Sequence, residues 1–320
     1  IHLTGTNSLI TKDNWYAGLQ KDNKAQLIIK TNNSDATAGI LNARSIDGDG
    51  AGIGGGFYGS GSCSNIIIDS CSVIASSKYG AGIGGSKQRA GSDITINSSS
   101  VTASSTNGAG IGGGLNGSCS DITINGGSVK ASSVSGSPTN AKGEKVYRCT
   151  IENPNSEDVI IDVDGTSTSW KPENHKAVDP DDKYLYAWLI GKTHTISVGN
   201  TTQTYYFNKK NNTFVPINFT FTAPQNLVYN GHSKKASLTN TENIGDFTLS
   251  YYNEQNELCT SAINAGTYIV KANIDNNTYT FSDLVNKDWT FTINPAPEAP
   301  GYTTETTKYV SWSYKKISDI

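Results

Sequence analysis

Methionine is absent from the 320 residues, histidine occurs only four times, and just 17% of the chain is charged. No apolar run approaches the roughly 20 residues that span a bilayer, which excludes an inserted helix. The charges nearly cancel, 25 Lys and Arg against 28 Asp and Glu for a net of −3, so there is no basic footprint for nucleic acid or an anionic membrane. The four histidines also fail to cluster with acids. His2 is near the terminus, His175 and His194 are isolated, and His232 follows Gly231 far from the repeats described below, so each is read as a surface or turn residue.

The five cysteines, Cys63, Cys71, Cys119, Cys149 and Cys259, match no zinc spacing. They are read as small structural residues with free thiols.

What is abundant is glycine, 33 residues, together with 16 tyrosines and much Ser, Thr and Asn, a composition for strands and turns. Three times the same text returns, at 51–77, 81–105 and 109–133. Each copy opens with Ala-Gly-Ile-Gly-Gly, then reaches Asn65-Ile-Ile-Ile-Asp69, Asp93-Ile-Thr-Ile-Asn97 or Asp121-Ile-Thr-Ile-Asn125. Each closes on Ser-Val-x-Ala-Ser-Ser. Ile66, Ile94 and Ile122 are 28 residues apart. A fixed period of this size means stacked units, none of which can bury its own apolar side alone. Within each unit the apolar residues alternate, the period of a strand.

Three short strands per unit predict a three-sided parallel β-helix, right-handed by the usual crossover rule, over residues 1–142. Three columns should stack inside: Ile53/Ile83/Ile111, Ile66/Ile94/Ile122 and Val73/Val101/Val129. Segments at 1–10, 16–19, 25–29 and 38–41 read as degenerate earlier rungs. Cys63 and Cys119 fall at one repeat position two rungs apart, roughly 9–10 Å, too far for a disulfide. Asp93 and Asp121, with Asn65 in the first copy, are read as turn residues. Asp69, Asn97 and Asn125 are read as a side-chain ladder.

The repeat stops near Lys145. Residues 143–216 read as a small antiparallel β module capping or following the helix. Residues 217–296 carry strands at sandwich-like intervals. Residues 297–320 read as linker and tail, with Pro295-Ala-Pro-Glu-Ala-Pro300 a stiff spacer. The whole is therefore expected to be all-β.

The phrase Gly-Ala-Gly-Ile-Gly-Gly-Gly alternating with Asp-Ile-Thr-Ile resembles the pectate-lyase-like β-helical repeats of large surface proteins of gut Firmicutes. Leu227-Val-Tyr-Asn-Gly231, Asn264-Ala-Gly-Thr-Tyr-Ile-Val270 and Phe291-Thr-Ile-Asn-Pro295 resemble the MBG/YDG-type immunoglobulin-like modules of bacterial surface proteins. The resemblance implies an exported, wall-associated, glycan-facing, Gram-positive protein, and this chain as part of a longer multidomain one. The expectation is a non-enzymatic cell-surface adhesin or glycan-binding helix on spacer modules, whose partner is a glycan or a host or cell-surface component. The alternatives are an accessory region of a polysaccharide lyase or glycosidase, and a structural stalk.

If the isoleucine of Ala-Gly-Ile-Gly-Gly points inward, Gly52, Gly54, Gly82, Gly84, Gly110 and Gly112 leave a face without side chains. Either the chain's own segments cover it or a ligand does, with Phe57, Tyr58 and Arg89 in the adjoining loops as further ligand-face candidates. No catalytic residue is assigned. No cofactor is expected, with one alternative: Asp47/Asp49 and Asp162/Asp164 have the i, i+2 spacing of calcium loops, although acid-Gly pairs are read first as turns.

Overall fold

The computed structural model describes residues 1–21, 25–31, 39–57, 62–163, 166–171, 183–240, 242, 244–245 and 247–297. Tyr58, Asp164, His175 and the tail from 298 lie outside them. The described chain is all-β, with no helix. It divides into two compact units, Ile1–Ile217 and a second beginning at Asn218.

The first unit opens with a parallel solenoid of about four turns. Three columns of paired strands build it. The first is Leu19–Gln20, Ile53–Gly54, Ile83–Gly84 and Ile111–Gly112. The second stacks His2–Leu3, Leu27–Thr31, Ile66–Asp69 and the starts of Ile94–Ser105 and Ile122–Ala131. The third stacks Thr6–Thr11, Ile40–Ser45, Ser72–Ser77 and the ends of those two long strands. The degenerate first rungs are thus real rungs.

Register follows the repeat: Ile66, Ile94 and Ile122 pair in line, as do Val73, Val101 and Val129. All of these, with Ile53, Ile83 and Ile111, are at most 2% exposed and share one core. Each fully buried isoleucine contributes roughly 1.5–3 kcal/mol.

The three separate strands expected per coil are corrected in two respects. The Ala-Gly-Ile-Gly-Gly strand is only two residues long, and its second residue is a glycine with φ of 131°, 134° or 129°. The other two strands fuse in the later coils, where Ser98 (φ 43°) and Gly126 and Gly127 (φ 73° and 83°) absorb the bend. Asn65, Asp93 and Asp121 all adopt left-handed backbone, φ 63°, 51° and 56°. Asn and Asp tolerate that region where most side chains do not, which explains the Asx column ahead of each isoleucine strand. The Asn ladder forms between Asn125, which donates through Nδ2, and Asn97 Oδ1, 2.8 Å away.

Serines clip the corner after the third column. Ser45, Ser77 and Ser105 occupy one repeat position, and their hydroxyls donate to the carbonyls of Tyr16, Gly50 and Gly80 at 3.1, 2.6 and 2.6 Å.

The last coil is covered. After a partial turn bridging Val134 to Ile111 and Thr139 to Thr123, Val146–Glu152 pairs antiparallel with Tyr184–Ile190. The second of these strands serves two cores. Leu185, Ala187 and Leu189 pack with Cys149, Ile151, Val159, Ile161, Ile196 and Tyr205. On the opposite face Trp188 packs against the solenoid core, and its indole N–H donates to the Val129 carbonyl at 3.0 Å. The Tyr186 N–H donates to Ser128 Oγ at 3.1 Å. A five-stranded antiparallel sheet, in the order 166–170, 159–163, 194–198, 201–208, 213–216, completes this module.

The second unit sets a two-stranded and a five-stranded antiparallel sheet around one core of Ala262, Tyr268, Val270, Ala272, Trp289, Phe291 and Ile293, joined by Phe219 and Phe221. Thr280–Leu284, not expected from the sequence, is one of its strands.

None of the five cysteines forms a disulfide. Burial pushes the Cys71 and Cys149 thiols up from 9.0 to about 12. Cys119 rises to about 11, through burial and then the nearby Asp121 carboxylate. Burial also raises the Tyr205 and Tyr206 phenols. Each raised pKa means the unfolded chain loses its proton first as pH rises, so the stability the thiols contribute is complete below 9.0 and lost as the pH climbs to about 12. The urea midpoint should therefore stay level from pH 6 to 8 and fall steadily above 9. Replacing both Cys71 and Cys149 by Ala should flatten part of that fall, and an unchanged slope in the double variant would contradict this assignment.

Candidate functional site

The six repeat glycines do not form a ligand face; they are buried. A Cβ on Gly82 would stand 2.6 Å from the Gly110 carbonyl oxygen and 2.8 Å from the Ser104 nitrogen, and one on Gly52 or Gly110 meets the equivalent backbone. The third-column strands of the solenoid lie against that side. Gly54, Gly84 and Gly112 have φ of 131°, 134° and 129°, and a Cβ there would meet the next coil, at Gly84, Gly112 and Ser135 respectively. Glycine is thus required by close backbone approach at one position of each pair and by conformation at the other.

The loops that flank the glycines do reach the surface, and there the repeat diversifies. Trp15, Asp49, Tyr79 and Asn107 occupy one position, two residues before the alanine of each coil. Phe57, Lys87 and Leu115 occupy another, six residues after it. The backbone joins the two columns across coils: Phe57 N–H donates to Trp15 C=O at 2.7 Å, Lys87 to Asp49 at 2.8 Å and Leu115 to Tyr79 at 2.8 Å. The side chains follow. The Trp15 and Phe57 rings stand 5.1 Å apart. Lys87 Nζ lies 3.2 Å from Asp49 Oδ2 and 5.0 Å from the centre of the Tyr79 ring, with Lys78 Nζ at 5.2 Å from that ring. Trp15 is 37% and Tyr16 50% exposed, and Arg89 is exposed in the loop beyond Lys87. The corner thus presents a strip of aromatic and charged groups whose rungs repeat every ~4.8 Å, the strand spacing of the coils beneath.

Residues 94–115 and 122–141 match the family model of the beta helix repeat. The chain carries beta helix repeats, in keeping with its parallel solenoid. The matched residues lie between the start of the Ile94–Ser105 strand and the partial turn after the last full coil. No curated protein and no solved structure matches the chain.

Of the ligand-face residues named from the sequence, the β-helix places Phe57 and Arg89 on this corner, while Tyr58 lies outside the described residues. Trp15, Lys78 and Tyr79 were missed. Aligning the coils on their alanines, rather than on the text of the motif, would have found Trp15 and Tyr79. The structure places three of the four residues weighed for calcium, Asp164 lying outside the described residues. Asp49 is committed to Lys87, and Asp47 is exposed. Asp162 is exposed on its strand between Ser167 and Thr195 of the neighbouring strands. Among the described residues no three His, Cys, Asp or Glu side chains gather as a metal group.

Proposed function

We propose that this chain is part of a non-enzymatic extracellular protein of the bacterial cell surface or wall. Its β-helix binds a glycan along the corner strip, and the antiparallel modules act as spacers. One observation carries this reading. The core columns repeat nearly unchanged from coil to coil, whereas the two corner positions change chemistry at every coil and run from half-buried to exposed. A stack kept only for stiffness gains nothing from Trp, Asp, Tyr and Asn in succession at one position. Exposed aromatic rings supply flat apolar faces for sugar C–H groups, and the polar members supply hydrogen bonds. The acids of the solenoid support the non-enzymatic side of the reading, because Asp93 and Asp121 serve turns and Asp49 is ion-paired.

The test is retention on an array of bacterial and host glycans. Selective retention is expected, with Trp15→Ala and Tyr79→Ala each weakening it by about tenfold, the loss of one aromatic contact of about 1.4 kcal/mol. Retention of nothing would favour the stalk. Release of reducing ends or unsaturated products would show an enzyme.

A further inference from the structure

A concavity lies in the first unit, where the last coil meets its cap. It is a cleft of about 500 Å3. One wall is the edge strand Thr166–Trp170, whose Trp170 ring also rests against the core of the capping module. Its floor is the apolar face of Tyr184–Ile190. Its lip is polar: Asn125 from the end of the Asn ladder, and Asn140, Lys142 and Glu144 from the loop that follows the partial turn.

That loop is held rigidly by its own hydrogen bonds. Asn140 Oδ1 accepts from the Lys142 and Glu144 N–H groups at 3.0 and 2.9 Å, and Asn140 Nδ2 donates to Glu144 Oε2 at 2.8 Å. Glu144 keeps its other carboxylate oxygen, and Asn125 keeps its side-chain carbonyl, since its amide donates to Asn97. The Lys142 ammonium makes no ion pair among the described residues. A cleft with an indole wall, an aliphatic floor and a few convergent polar groups is the usual form of a small-ligand site, and its volume is within the common range.

We infer that this cleft binds a neutral mono- or disaccharide unit, as a site separate from the corner strip. The chemistry of the lip decides the class. One ammonium and one carboxylate stand within three residues of each other, so a strongly anionic ligand meets Glu144 and a cationic one meets Lys142. A polyhydroxylated neutral ring satisfies both, donating to Glu144 and Asn125 and accepting from Lys142, while its C–H face lies on Trp170. A purely apolar ligand would leave these groups desolvated without partners.

The test follows the Trp170 indole and Ser169 amide resonances of the 15N-labelled full chain during titration with the methyl glycosides of glucose, galactose, mannose and N-acetylglucosamine. At least one should give a saturable shift, weakened threefold or more by Lys142→Ala and by Glu144→Gln. Both residues are exposed, so these variants keep the fold where Trp170→Ala could lose it. Thr102→Ala, on another face, should bind as the parent does. No saturable shift with any of the four sugars would overturn the inference, as would a shift unaffected by either lip variant. Failure of the glycan array with success here would retire only the corner strip.

Discussion

Alanine at Gly84 is expected to destabilise the protein by about 3–5 kcal/mol, the joint cost of a strained backbone and an overpacked contact. The new Cβ would stand 2.0 Å from the Gly112 carbonyl oxygen, and the backbone there has φ of 134°, which an L side chain rarely adopts. Neither problem can relax alone. Rotating φ would move the Gly84–Gly112 pairing of the first column, and moving the carbonyl would disturb the coil above. Gly82→Ala carries only the close approach and should cost about 1–3 kcal/mol. Thr102→Ala, on the outer face, should stay within about 0.5 kcal/mol of the parent. Urea unfolding followed by circular dichroism orders the three. A Gly84→Ala protein with the parent midpoint would mean that the coils do not approach as described.

Much of this architecture is visible in the residues themselves. A 28-residue period with alternating apolar positions points to a stack of parallel strands, and it assigns three inner columns, Ile53/Ile83/Ile111, Ile66/Ile94/Ile122 and Val73/Val101/Val129. The function of the glycines was half legible. Their bare face was evident from the text, but only the structure places Ser76 and Ser104 against it. The corner strip was less so. Trp15 belongs to a first rung whose alanine is 34 residues from the next, against 30 and 28 for the later coils, so the motif text does not carry it into register. The cap was hidden for another reason. In Tyr184–Ile190 the alternation is plain, yet alternation predicts one buried face, and here Trp188 and Tyr186 on the other face are needed by the solenoid end. Thr166–Trp170 and Thr213–Pro216 are edge strands, defined by pairing rather than by pattern.

Aspartate at Ile94 should be the most damaging single change in the solenoid. Ile94 is fully buried, between Ile66 on one neighbouring strand and Ile122 on the other, in a core of aliphatic side chains. The substitution forfeits roughly 1.5–3 kcal/mol of apolar burial and adds about 2–7 kcal/mol for an unpartnered polar group. The sum rivals the whole stability of an ordinary domain, about 5–15 kcal/mol, so the chain should fail to reach the native state at neutral pH. Burial favours the neutral carboxyl, so part of the loss should return as the pH is lowered, which separates a buried charge from a merely misshapen side chain. Thr95→Asp is the control. Its side chain points the opposite way along the same strand, is half-buried, and should cost less than about 1 kcal/mol. Equal damage at 94 and 95, or a pH-independent loss at 94, would mean that the strand faces are assigned the wrong way round and that the core of this helix is not the column of isoleucines.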